Sequence, residues 1–277
     1  MRRRVSIRSL VFILAFVSTA WDIQILSSLR GASRQDAAQP PRELLVAAAA
    51  DLKFVMDEMI EEFQKDHPEN TVKVVYGSSG NFYLQLSNQA PYDLFFSADI
   101  GYPHKLSEQG LTLPGSEFLY AVGNLVIWVP NSSPLDVERL KMEAVRDESV
   151  HHIALANPKH APYGKAAEGI LRSSTLWEVV QHKIVLGENV SQALQIVQTG
   201  NAEIGFVALS LAMAPRIKDQ GRFWQIPPDA YPRLEQGGVI LKWTKNLKGA
   251  QDFREFVTGS KGRLLLKRYG FSLPGDK

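Results

Sequence analysis

LLVAAAADLKFVMDEMIEEF, residues 44–63, changes its periodicity at Asp51. Residues 44–50 are apolar and small without interruption, the pattern of a strand buried on both faces. From Leu52 the apolar positions fall at Leu52, Val55, Met56, Met59, Ile60 and Phe63, with Glu58, Glu61 and Glu62 opposite. That spacing lays one greasy stripe along a helix and leaves a charged face for water. A buried strand running directly into an amphipathic helix is the basic unit of an α/β protein.

Outward from this unit the plan repeats. Residues 72–76 read as a second strand, leading through Gly77-Ser78-Ser79-Gly80 into a short helix from about Asn81. LFFS at 94–97 reads as a third, with Asp99 positioned to cap a helix through Lys105. Further on, 153–156, 183–186 and 203–209 read as strands. Each of the first two enters a helix, one at Lys165 and one at Ser191. Strands alternating with helices predict an α/β chain with mostly parallel sheets. YAVGNLVIWV (120–129) and QGGVILK (236–242) read as crossings between two lobes, so the first lobe is expected to be discontinuous. The expected organisation is 43–122 with 238–277 in lobe 1, 123–237 in lobe 2, and a C-terminal helix over 250–269 packed back on lobe 1.

The first forty residues differ in kind. Arg2, Arg3, Arg4 and Arg8 flank an apolar run at 10–17, and Ser18-Thr19-Ala20 offers a small-residue cleavage site. Basic, apolar, small is the order of a secretory signal, expected at 1–20, and the run falls short of the about 20 residues of a membrane span. An uncleaved anchor is the alternative. Residues 21–42, with the polar SRQDAAQPPR at 33–42, read as a leader into the folded part. Removing the first twenty residues takes away four arginines and no acid, so the net charge moves from +2 to −2. A basic footprint for nucleic acid is then missing. The chain has no cysteine, which excludes disulfides, thiolate chemistry, Cys-based zinc sites and a lipidated N-terminal cysteine. Its 277 residues suffice for two lobes, and 45% hydrophobic with 22% charged residues is ordinary globular composition.

Candidate chemistry lies at the strand-to-helix junctions. Ala49-Ala50-Asp51, Ser78-Ser79-Gly80, Ala161-Pro162-Tyr163-Gly164 and Glu188-Asn189-Val190-Ser191 all put small, hydroxyl or amide residues at a helix start. A helix start leaves backbone N–H groups unpaired and carries partial positive charge, so it favours an anion. In open α/β sheets such starts gather at the carboxyl edge of the strands. Each junction taken alone also reads as an ordinary helix cap, contributing about 1 kcal/mol. Lys159, His160 and Lys165 read as a solvated loop face, and His151-His152 as a strand-entry surface.

Gly77-Ser78-Ser79-Gly80, then APYDLFFSAD (90–99), Leu113-Pro114-Gly115-Ser116 and Tyr120-Ala121-Val122-Gly123 resemble the first lobe of periplasmic molybdate-binding proteins. Asn157-Pro158, Ala161-Pro162-Tyr163-Gly164, Glu188-Asn189-Val190, Gly205-Phe206-Val207-Ala208 and the ending Arg268-Tyr269-Gly270-Phe271 continue the resemblance in order, over roughly 43–274. The resemblance implies a two-lobed type II periplasmic-binding-protein fold, with mixed sheets flanked by helices. It implies an exported, periplasmic, monomeric receptor for molybdate or tungstate that works with an ABC importer's permease and ATPase. No cofactor, no free metal cation and no enzyme activity are implied. Carried across, the ligand-binding positions are Ala50, Asp51, Ser79, Tyr163 and Val190. Ser79 is expected to donate its hydroxyl, Tyr163 is a second candidate hydroxyl donor, and several of the five are expected to donate a backbone N–H.

One position departs from that pattern. The resembled family commonly has Ser, or Thr followed by Asn, at the first strand end, where this chain has Ala50-Asp51. Either Asp51 caps its own helix while its N–H faces the ligand, or its carboxylate faces a dianion and repels it. Rigid neutral donors would measure the radius of an anion by leaving polar groups unpaired around a poor fit. Sulfate, phosphate or an organic anion therefore remain alternative ligands. Catalysis finds little support: Gly77-Ser78-Ser79-Gly80 is not a nucleophile elbow, and neither a P-loop nor Gly-x-Gly-x-x-Gly occurs.

Overall fold

The computed structural model describes residues 42–276. The expected signal segment 1–20, and the leader up to residue 41, lie outside these residues. Arg42 already opens the first strand. The described chain folds into two five-stranded mixed sheets flanked by helices.

The first sheet is built from β1 (Arg42–Ala49), β2 (Asn70–Gly77), β3 (Leu94–Ser97), β4 (Phe118–Gly123) and β10 (Leu234–Ile240), in the order β2-β1-β3-β10-β4. The second holds β5 (Leu125–Pro130), β6 (Ile153–Ala156), β7 (Ile184–Gly187), β8 (Ile204–Ala208) and β9 (Gly221–Gln225), in the order β7-β6-β8-β5-β9. In both sheets three parallel strands are followed by an antiparallel neighbour. The chain crosses between them at Asn124, where β4 ends and β5 begins, and returns into β10. The stretch 120–129, read as one crossing strand, is thus two strands parted by a single residue. Asn124 holds the break: its Nδ2 donates to Gly270 O, and its carbonyl accepts from Leu209 N. The return strand pairs within the first sheet from Leu234 on.

Helices follow the strands as the periodicity required. They are α1 (Lys53–Asp66), α2 (Ser79–Ser87), α3 (Gly101–Glu108), α4 (Val137–Leu140), α5 (Pro162–Ser173), α6 (Trp177–Val180), α7 (Val190–Gln198), α8 (Leu209–Ala212), α9 (Leu247–Thr258) and α10 (Ser260–Arg268). On α1 the predicted stripe is buried, and Phe63 stacks edge-on against Phe253 of α9. Asp99 Oδ1 does accept from Gly101 N at the start of α3. The single C-terminal helix expected over 250–269 is two helices. Gly259 between them is extended (ψ −176°), which breaks the helical hydrogen-bond ladder. Strand β9 went unread, because GRFWQ has one charged and one amide residue and is only half-buried.

Candidate functional site

The carboxyl ends of β1 and β2 in the first sheet, and of β6 and β7 in the second, open onto one small cavity. Its lining includes Ala50 and Asp51 from the turn after β1, Ser78 and Ser79 from the start of α2, Tyr163 from α5, and Asn189 and Val190 from the start of α7. All five positions singled out in the sequence therefore meet in one place. The cavity volume is about 10 Å³, on the scale of a single water and far too tight for a sugar or a peptide.

Local sequence explains the helix starts. Asn189 caps α7, its Oδ1 accepting from the amides of Ser191 and Gln192 (both 3.1 Å), which leaves the first-turn amide of Val190 at the cavity. Pro162 occupies the first position of α5, where a missing N–H costs nothing. Ser79 begins α2 and is fully buried. Its Oγ accepts from Ala98 N at 2.9 Å, which spends a lone pair and leaves the hydroxyl proton to donate.

Asp51 does not follow the capping reading of the sequence. The first turn has no side-chain cap, so the carboxylate does not close its own helix. Instead Oδ2 accepts from Tyr163 Oη at 3.0 Å and from Gln236 Nε2 at 2.6 Å. Gln236 in turn donates to Tyr163 Oη at 3.1 Å, while its Oε1 lies 2.9 Å from Tyr120 Oη. The phenol of Tyr120 also has Ser97 O at 3.0 Å, two acceptors for one proton. This chain of bonds fixes the orientation of the Gln236 amide and so presents N–H, not oxygen, to Asp51. Gly123 makes room for it: a Cβ there would fall 2.2 Å from Tyr163 Oη and 2.6 Å from Gln236 Nε2. Tyr163, a candidate donor to a ligand, has its proton committed to Asp51.

Burial raises the Asp51 carboxyl from 3.8 to about 6, while the hydrogen bonds from Gln236 and Tyr163 and the nearby amides of Asp51 and Leu52, which make no hydrogen bond of good geometry to it, pull less strongly the other way. Burial also pushes Tyr163 and Tyr120 well above the ordinary phenol value, and the neighbouring Asp51 adds to it, so both stay neutral.

Hydrogen bonds also tie the two halves together around the cavity. Ser210 Oγ at the start of α8 donates to Asp51 O at 2.8 Å. On the other side Gly80 N donates to His160 O at 2.8 Å, and Ser78 Oγ lies 2.9 Å from His160 Nδ1. Farther out, Asn81 Nδ2 donates to Glu188 Oε1 at 3.1 Å. His160, read as a solvated loop residue, is thus a half-buried contact between the halves. Its neighbours Lys159 and Lys165 are exposed, as expected. Gln236, read only as the start of the crossing stretch 236–242, is a functional residue of this site, and its amide at the edge of the apolar run is the one signal the sequence offers.

A family model described as bacterial extracellular solute-binding protein matches residues 44–272. The chain belongs to this family. Among its relatives, the molybdate-binding protein ModA of Azotobacter vinelandii is 37% identical over 243 residues, 88% of this chain and 95% of that one. The molybdate-binding protein ModA of Rhodobacter capsulatus is 34% identical, over 83% of this chain and 88% of its own length. The solved structure of the Azotobacter vinelandii periplasmic molybdate-binding protein superposes with a TM-score of 0.78 at 35% identity, covering 83% of this chain and 99% of that chain. The solute-binding fold inferred from the junction motifs is therefore the fold of this family, with two mixed sheets flanked by helices.

Proposed function

We propose that this solute-binding protein captures molybdate or tungstate between its two lobes and hands it to the permease and ATPase of an ABC importer. The observation that carries the reading is the ring of helix starts from both halves around one small cavity, in a chain 37% identical to a molybdate-binding protein. Backbone amides of Ala50, Asp51, Ser79, Tyr163 and Val190 and the hydroxyl of Ser79 are the proposed donors. No lysine or arginine lines the cavity, so selection rests on the distance between fixed neutral donors. The bonds that join Ser78, Gly80 and Asn81 to His160 and Glu188 are those a closing motion would form. Export through the signal at 1–20, function as a monomer and the absence of any resident cofactor complete the proposal.

A second reading has one observation behind it. Asp51 puts an acceptor beside the cavity, as a protonated anion such as hydrogen phosphate would require. Thermal melts with molybdate, tungstate, sulfate and phosphate separate the two. A ligand at a hundredfold excess over its dissociation constant adds about 2.7 kcal/mol of stability. Molybdate and tungstate are expected to raise the melting temperature together, ahead of sulfate and phosphate. If sulfate or phosphate matches them, the molybdate reading falls.

A further inference from the structure

One oxygen in this site has no partner. Asp51 is buried to 1% exposure, Oδ2 takes both neighbouring donors, and Oδ1 is left without a hydrogen bond. A buried polar atom in that condition calls for a cause, because native structures leave few of them. Asp51 lines the same cavity as Ser79, Tyr163 and Val190. An ionised carboxylate there would stand against any dianion in a poorly screened space.

Among the described residues, no lysine or arginine lines the cavity to relieve that conflict. The titratable groups around Asp51 are Tyr163 from α5 and Tyr120 from β4, both neutral, with Tyr231 beyond them bonded to Leu125 N. Gln236 from β10 and Ser210 from α8 carry no charge. His160, across the cavity, is engaged with Ser78. A proton, by contrast, resolves both problems at once. With Tyr163 and Gln236 donating to Oδ2, the proton's place is Oδ1, which turns an unpartnered acceptor into a donor.

We propose that this site takes its oxyanion together with one proton from solvent, held on Asp51 Oδ1 and donated to an anion oxygen, so that Asp51 acts as a neutral specificity-determining donor. The inference rests on the reading of the cavity as an oxyanion site. No covalent bond changes: one proton leaves water and binds the carboxylate as the anion enters. The titration of Asp51 at about 6 agrees with this geometry, since burial already brings its neutral form within reach. Asparagine at position 51 copies the protonated acid. Tyr163 and Gln236 would hold its carbonyl oxygen in the place of Oδ2, which turns its NH2 toward the place of Oδ1.

The test is calorimetric titration of the full chain, free of its signal, with sodium molybdate from pH 6 to 9, in two buffers of different ionisation enthalpy. The wild type is expected to take up about one proton per anion at pH 8, with affinity falling about tenfold per pH unit. His160→Asn is expected to keep that uptake. Asp51→Asn is expected to lose it, to show a flat pH profile, and to bind about a hundredfold tighter than the wild type at pH 8. Molybdate binding by the wild type without proton uptake at pH 8 overturns the proposal, and so does uptake that survives in Asp51→Asn. Absence of molybdate binding at every pH removes the functional reading itself, a different result from binding without a proton.

Discussion

The two seams that join the halves of this molecule are built from opposite materials. At the inner seam Asp51 meets Tyr163 and Ser210, all buried, through side chains whose positions depend on further buried partners. At the outer seam Gly80 and Ser78 meet His160, and Asn81 meets Glu188, largely through backbone and half-exposed groups. The inner seam has an ionisable group sealed from water, so its strength should follow pH. The outer seam depends on closeness of approach, so its strength should follow steric bulk.

The pH dependence of the inner seam is the largest expected effect. A carboxyl that titrates at 3.8 unfolded and at about 6 folded binds its proton more tightly in the native state. Its stability contribution is therefore fully present below 3.8 and is lost as pH rises through 6. In the ligand-free protein, Asp51→Asn removes this dependence. Urea melts at pH 4 and pH 7 should show the gap between variant and wild type moving by about 2.4 kcal/mol in favour of the variant. A gap that stays constant would mean that Asp51 does not titrate in this window.

Ser79 lines the cavity and is a proposed ligand donor. Ser79→Ala is expected to weaken molybdate binding by about 1.5–3 kcal/mol, the range for a hydrogen bond to a charged group. Unchanged affinity in calorimetry would remove Ser79 from the site. Bulk at the outer seam comes next. A Cβ at Gly80 would lie 2.7 Å from His160 O, so Gly80→Val should hold the halves apart at a cost of about 1–3 kcal/mol. Calorimetry should read a matching loss of affinity, and small-angle scattering a wider particle in the presence of molybdate. Tyr163→Phe takes one donor from Asp51 and is expected to destabilise by about 1 kcal/mol. Because that bond holds the carboxyl down, its loss should also move the midpoint of the stability transition above 6. The smallest effect is assigned to Asn81→Ala, which removes an exposed bond to Glu188 and should change affinity by less than about 0.5 kcal/mol.

Residues that act locally were legible. The helix starts that carry Ser79, Tyr163 and Val190 could be read from the sequence because a helix start announces itself through capping residues, a proline or a glycine turn within a few positions, while the choice of these three residues came from the resemblance. The resemblance supplied their order, and the structure gathers them at one cavity. Gln236, Tyr120 and Gly123 were not picked. Their importance lies in one another, and nothing in their neighbours' sequence states which strand they will face. His160 was read as solvated because a loop flanked by two lysines looks the same whether or not another lobe covers it.

Asp51 marks the line between the two kinds of knowledge. The sequence alone determined that a strand ends and a helix begins there, since periodicity and backbone hydrogen bonding are settled within about one turn. It also determined that a carboxylate would stand at a helix start facing the edge of the sheet. The direction of that carboxylate was decided by Tyr163 and Gln236, which lie 112 and 185 residues farther along the chain, and its raised titration by burial that their bonds only partly offset. Desolvation and hydrogen bonding across such separations exist only once the two sheets are packed, and that packing sets the chemistry of Asp51.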